Sequence, residues 1–283
     1  MFVLAVALAA AVAWAGSQGG ATVGGFPAFA LVVTAIFFVQ FIAFVPAWLK
    51  QTEHFYDLVG SSTYVVAILA AVVLSGHSDA QALLLTGLVV VWASRLGPFL
   101  FRRVRRTGGD DRFDAIKPDF GRFLNAWTLQ GLWVTITLSA ALAAVTAEDR
   151  PPLGVLAIVG VLVWLGGFVI EVVADAQKNR FRADPANQGA FIRTGLWSWS
   201  RHPNYFGEIT LWFGVAIAAL PALAGWQFVT LISPVFVFLL ISRVSGVPLL
   251  ERKADARWGG QSDYEQYKGS TPVLVPRPPR SLP

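Results

Sequence analysis

The 283 residues include no cysteine, a single methionine and three histidines. The missing thiols exclude disulfides, thiolate zinc sites and cysteine nucleophiles together. Metal chemistry is nearly excluded as well, because His54, His77 and His202 lie far apart and none forms an i, i+4 ligand pair with another. Charge is scarce, at 14% of residues against about 25% in a soluble domain, while 55% are hydrophobic. No G-x-G-x-x-G follows a strand pattern, so a Rossmann-type phosphate loop is not available.

What the chain has instead is apolar sequence in lengths that suit a bilayer. A helical span needs about 20 apolar residues, and such runs lie near 27–49, 58–76, 82–101, 123–146, 153–174, 204–221 and 226–247, with a shorter one at 2–15. With a mean hydropathy of +0.58, they predict an all-α polytopic integral membrane bundle of seven core transmembrane helices. A short eighth helix at the N-terminus and a cytoplasmic C-terminus are expected with them. The first run ends in "AWAG", which suits a signal-peptidase site, but no basic residue precedes it as such a peptide requires; a retained short helix is the favoured reading. No internal repeat is evident, and Pro and Gly punctuate span ends rather than a linker. The expected organisation is a short N-terminal hydrophobic helix and loop, 1–26, followed by one membrane domain, 27–283, with a short cytoplasmic tail.

Basic residues orient the bundle. The 102–122 connection holds Arg102, Arg103, Arg105, Arg106, Arg112, Lys117 and Arg122, and the 175–203 connection holds Lys178, Arg180, Arg182, Arg193 and Arg201. Both are expected in the cytoplasm. Much of the formal charge of +5 is thus topological, and nucleic acid is an unnecessary partner.

Ionisable residues inside spans are expensive and mark function by default. In "GGFVIEVVADAQKNRFR", Glu171, Asp175, Lys178 and Arg182 are spaced by four, three and four, one stripe of a helix leaving the membrane. A solvated helix end with i, i+4 ion pairs is the plainer reading for Lys178, but Glu171 lies too deep for a free carboxylate and needs a partner or a ligand. In "WSRHPNYFGE" the proline suits a helix start. Asn204 and Glu208 then share a face, while Arg201 and His202 sit at the lip, where helix-start amides and cations make an anion site.

The stretch "GLWSWSRHPNYFGEITLWFG", preceded by "DAQKNRFR" and followed by "YEQYKGSTPVLVP", resembles the C-terminal half of the steroid 5-alpha-reductase family, in particular its bacterial membrane branch, over roughly residues 50–275. The resemblance implies an NADPH-dependent reductase that saturates a carbon-carbon double bond conjugated to a carbonyl, such as the delta-4 bond of a 3-oxo-4-ene steroid. It also implies a multi-pass protein of a bacterial inner membrane, with the cofactor entering from the cytoplasm and a hydrophobic lipid as substrate. Asp175, Asn179, Arg182, Asn204 and Glu208 match cofactor-contacting positions of that family. Arg193 and Arg201 join the candidate cofactor set because guanidinium groups suit phosphate, and His202, Tyr205 and Glu171 complete it.

The other half of the expected chemistry lies in "KQTEHFYDLVGSSTYVV". If this stretch is helical, Glu53, Tyr56 and Asp57 fall on one face with His54 displaced, and Glu53, Tyr56 and His54 are the candidate catalytic residues. Glu53 aligns with the family's glutamate that faces the substrate oxygen, where negative charge develops, and partial desolvation is expected to keep it protonated. The family's tyrosine on the following helix is replaced by Trp92; Tyr56 or Tyr64 is expected to fill the role. Arg95, with Trp92 and Tyr64, belongs to the candidate substrate set and is a candidate counter-ion to Glu53 or Asp57. A rival class remains: membrane isoprenylcysteine and phospholipid methyltransferases carry a related Arg-His-Pro-x-Tyr element with a downstream acidic motif, and Glu251 stands at a comparable place. A non-catalytic lipid-binding or transport protein is the third reading.

Overall fold

The computed structural model describes residues 1–279. The side chains of Arg103, Arg106 and Thr107 lie outside the described set, as do residues 280–283, and with them part of the basic stretch and of the tail used in the orientation reading.

The described chain is predominantly helical. An apolar helix α1, Phe2–Gly16, leads through a two-stranded turn, β1 (Thr22–Val23) and β2 (Phe26–Pro27), into α2, Ala28–Leu49. There follow α3 (Tyr56–Ser75), α4 (Ala80–Thr107), α5 (Phe120–Thr146), α6 (Val155–Ala183), α7 (Pro203–Ala219), α8 (Ile232–Leu239), α9 (Val247–Trp258) and α10 (Ser262–Ser270). Among the described residues, seven helical segments are long and apolar enough to cross a membrane: Ala28–Leu49, Tyr56–Ser75, Ala80–Arg102, Phe120–Thr146, Val155–Ala183, Pro203–Ala222 and Gly225–Trp258. Each coincides with one of the seven predicted runs. The helices outlast the apolar windows at some ends, α6 running on through Arg182, because Ala, Gln, Lys and Arg are good helix formers wherever backbone bonding can continue.

The chain divides into two compact units, Met1–Val159 with Val215–Ser233, and Gly160–Gly214 with the chain from Pro234 onward. In the first unit α5 is central: 89% of its span is buried, against 39% for each of α2 and α3. It is also less apolar than they are, with a mean span hydropathy of 1.5 against 2.6 and 2.1. A helix surrounded by protein can carry polar side chains if each finds a partner, whereas a lipid-facing helix cannot. Accordingly the Thr128, Thr135 and Thr146 hydroxyls donate to the carbonyls of Leu124, Gly131 and Leu142 at 2.8–2.9 Å. Ser139 reaches the carbonyl of Thr230 at 3.0 Å, and Ser233 donates to the carbonyl of Thr137. At one end of this unit Arg150 pairs with Asp79 at 2.8 Å, joining the 147–152 and 77–81 connections.

In the second unit α6 and α7 touch backbone to backbone. A Cβ placed on Gly207 would lie 2.6 Å from both Glu171 N and Gly167 O, one on Gly167 2.5 Å from Leu211 N, and one on Gly214 2.5 Å from Trp164 N. Glycines seven residues apart, Gly160 and Gly167 on one helix and Gly207 and Gly214 on the other, thus form the seam, as small residues do where membrane helices approach closely.

Candidate functional site

The first polar cluster is built around Glu53. The chain around it is not helical, and α3 begins only at Tyr56, so the common helical face expected for Glu53, Tyr56 and Asp57 does not form. Glu53 is 4% exposed. Its Oε2 accepts from Lys117 Nζ at 2.6 Å and its Oε1 from the Asp110 amide at 3.0 Å. The 108–119 segment that delivers both donors is folded locally: Asp110 accepts from the Arg112 amide at 3.1 Å, and the Lys117 amide donates to Phe113 O at 2.8 Å. Lys117 also faces Asp114 at 3.4 Å.

This geometry corrects the expected protonation state. Burial pushes the Glu53 pKa up, but the Lys117 hydrogen bond and the Asp110 amide outweigh it and hold the carboxyl below its ordinary range. The Glu53 hydrogen bond in turn raises the Lys117 pKa. Glu53 is therefore the ionised half of a buried pair with Lys117 as its counter-ion. His54 is exposed, its amide turned to Thr52 Oγ1 at 3.3 Å, and is not brought to the carboxylate. The Tyr56 hydroxyl donates to the Ala126 carbonyl at 2.8 Å, and its ring packs edge-on against Phe113 and Trp127. Tyr64 and Trp92, both buried, meet in a T-shaped contact with centroids 5.1 Å apart. Arg95 lies over the Phe99 ring at 5.1 Å.

The second cluster surrounds the start of α7. The turn before it is held from three directions: the Arg201 amide donates to Pro272 O at 2.9 Å, the Ser200 hydroxyl to Leu274 O at 2.8 Å, and the Tyr267 hydroxyl to Trp197 O at 2.7 Å. Trp197 in turn donates to Ala174 O on α6 at 3.0 Å, with Lys178 Nζ over its ring at 4.2 Å. The tail segment singled out by sequence thus wraps the Arg-His-Pro turn. Glu251, on α9, pairs with Arg201 and stands 2.7 Å from His202 Nε2. Burial lowers the His202 pKa despite Glu251, so the imidazole is neutral and donates Nε2–H to the carboxylate. Tyr205 stacks on it, centroids 5.7 Å apart at 18°.

Among the described residues, three buried polar atoms in this turn have no hydrogen-bond partner: Arg201 Nε, His202 Nδ1 and Asn204 Oδ1. One is a donor and two are acceptors, and leaving such groups unsatisfied is costly. They are what a polar ligand would satisfy. Glu171 and Asp175 are buried on α6, 2% and 7% exposed, and the α6–α7 seam sets the Glu171 backbone against Gly207, between Asn204 and Glu208. Asn179 and Arg182 lie exposed at the end of α6. Arg193 is exposed as well, 3.7 Å from Asp263, and borders a cleft of about 170 Å³ that Ser198 and Tyr267 also line.

Two partners were missed from sequence. Lys117 read as one of many basic loop residues, and Glu251 only as part of the methyltransferase-like element; their charge was visible, but their partners lie 64 and 49 residues away.

Fold and clusters together define an all-α polytopic membrane protein with polar sites at helix entrances. The chain belongs to the family described as "Protein of unknown function (DUF1295)", matched over residues 43–271. It is similar to the Delta(14)-sterol reductase of Methylotuvimicrobium alcaliphilum, 31% identical over 178 residues, covering 56% of this chain and 38% of that protein. The chain thus aligns with well under half the length of that relative. No solved structure matches it.

Proposed function

We propose that the protein is an NADPH-dependent membrane reductase that saturates a carbon-carbon double bond of a sterol-like lipid, a 3-oxo-4-ene steroid being the substrate class. The observation that carries the cofactor half is the trio of buried, unpartnered atoms on Arg201, His202 and Asn204. A nicotinamide nucleotide offers both donors and acceptors, so these residues fit it, and the exposed Arg182 and Arg193 suit its phosphates. When bound, NADPH supplies a hydride. The sterol-like substrate is supported by the name of the similar reductase.

In this reading the Glu53–Lys117 pair handles the substrate oxygen. Lys117 holds a proton on Nζ and Glu53 fixes that ammonium in place. Negative charge developing on a carbonyl oxygen beside it is stabilised without prior protonation. An ionised pair is a poor acid for an isolated alkene, which favours a conjugated enone over an unconjugated double bond. Tyr56 serves as an anchor between α3 and α5. The cofactor site faces the cytoplasm, consistent with the basic connections.

The test is NADPH oxidation by the reconstituted protein with progesterone and, separately, with a sterol bearing a delta-14 double bond, products identified by the gain of two hydrogens in mass. The expected result is turnover of progesterone, lowered about a hundredfold in Lys117→Met and in Glu53→Gln. Turnover of the delta-14 sterol alone overturns the enone assignment. A second reading, S-adenosylmethionine-dependent methyl transfer, is favoured by the closure of Glu251 on Arg201 and His202; labelled methyl transfer to lipid without NADPH oxidation would establish it instead.

A further inference from the structure

One face of α4 stays open along the helix. Gly87, Val91, Ser94, Pro98, Arg102 and Arg105 are all exposed and follow one another at intervals of four, three, four, four and three, so they form a single stripe. Ala93, Gly97 and Val104, at the complementary spacing, are buried. The helix thus keeps a protein side and an open side as far as Arg105. Its span ends at Arg102, so the stripe is uncharged through the span and turns basic where the span stops. An added Cβ on Gly87 would meet nothing within 4 Å. From Gly87 to Pro98 the open face runs roughly 16 Å, about half the thickness of a bilayer's hydrocarbon core.

The basic end of the stripe is preorganised. The Arg105 guanidinium lies over the Phe101 ring at 5.6 Å, and Phe101 stacks on Phe55 with centroids 5.8 Å apart at 26°. Phe55 is itself 55% exposed. Stacking holds the plane of the guanidinium and leaves its N–H edges open. Among the described residues, neither Arg102 nor Arg105 has an ion pair or a side-chain hydrogen bond. Acids of the following connection are engaged elsewhere, Asp110 with Arg112 and Asp114 with Lys117.

From this placement we infer that the open face of α4 is a binding site for an anionic phospholipid, its acyl chains along Gly87 to Pro98 and its headgroup on Arg102 and Arg105. The occupant must be apolar over about one leaflet and negative at one end. A phospholipid with net charge meets both demands, and planar guanidinium groups suit its phosphate. A zwitterionic headgroup brings an ammonium to the same two cations and gains less. A soluble anion satisfies the arginines but leaves the uncharged face uncovered. The inference is independent of the reductase reading, since it uses no residue assigned to substrate or cofactor.

The experiment is titration of the purified full chain in detergent micelles with dioleoyl-phosphatidylglycerol and, separately, dioleoyl-phosphatidylcholine, bound lipids being counted by native mass spectrometry. The acyl chains are identical and only the headgroup charge differs. An arginine near an anionic lipid contributes about fivefold in affinity, so the wild type is expected to bind the first phosphatidylglycerol at least tenfold more tightly than phosphatidylcholine. The double variant Arg102→Gln with Arg105→Gln should bind the two lipids alike, and each single variant should lose about fivefold, which keeps the test open should the double variant misfold. Arg122→Gln, an exposed arginine at the start of α5, should keep the full preference. Equal binding of the two lipids by the wild type overturns the inference, as does a preference that survives the double substitution. Loss of the preference in Arg122→Gln to the same extent would mean diffuse surface charge and also overturns it. So does a dimer that the double substitution dissociates, which would give the face to a second copy of the chain.

Discussion

Replacing Lys117 with Met tests whether Glu53 is held as an anion. The Glu53 side chain is 3% exposed and Lys117 20%, and the substitution leaves a buried carboxylate without its ammonium partner, its Oε1 still held by the Asp110 amide. A hydrogen bond to a charged group contributes about 1.5–3 kcal/mol; with Lys117 partly open to solvent, a loss of about 2 kcal/mol is expected. Glu53→Gln alone leaves an ammonium that still reaches Asp114 and water, a loss of about 1 kcal/mol. The double variant buries no uncompensated charge, so its loss should also be about 1 kcal/mol rather than the sum, a coupling of about 2 kcal/mol. The assay is unfolding in detergent by denaturant titration at pH 7, where the coupling is complete. Because the folded pKa of Glu53 is depressed, its contribution is present above the unfolded value near 4.3 and is lost as pH falls through the folded value. That of Lys117, whose folded pKa is raised, is present below about 10.4 and is lost as pH rises through the folded value. Additive losses in the double variant, or single variants as stable as the wild type, would refute the reasoning.

Arg201→Leu and Asn204→Leu should each weaken NADPH binding at least tenfold, read by nicotinamide fluorescence, whereas the neighbouring exposed Trp199→Phe should not. Gly207→Val, which drives a side chain into the backbone of Glu171 and Gly167, should lower stability by about 3 kcal/mol or prevent folding, while Gly166→Ala, which meets nothing within 4 Å, should be neutral; thermal unfolding in detergent compares them. Burial lowers the folded pKa of His202, so below about 6.5 the unfolded chain binds more protons and stability falls as pH drops through that value; His202→Gln should flatten that acid limb of the stability–pH curve.

The sequence alone determined the number of spans, their places and the all-α class, because the cost of exposing backbone and charge to lipid is local and is written into each window of about 20 residues. It also marked Arg201, His202, Asn204 and Tyr205 as one polar turn, since a proline-started helix brings neighbours together without long-range contacts. Tertiary structure decided the rest. That Glu53 is ionised depends on Lys117, 64 residues on, and that His202 is neutral depends on burial prevailing over Glu251, 49 residues on. No hydrophobic period encodes such a pairing. The same holds for the α6–α7 seam, where Gly167 and Gly207 are meaningful only when their helices meet, and for Gln40, an isolated polar residue in an apolar run until its amide reaches Thr63 on α3. Protonation states and buried acceptors follow from the surroundings of an atom, and those are set only when distant parts of the chain pack together.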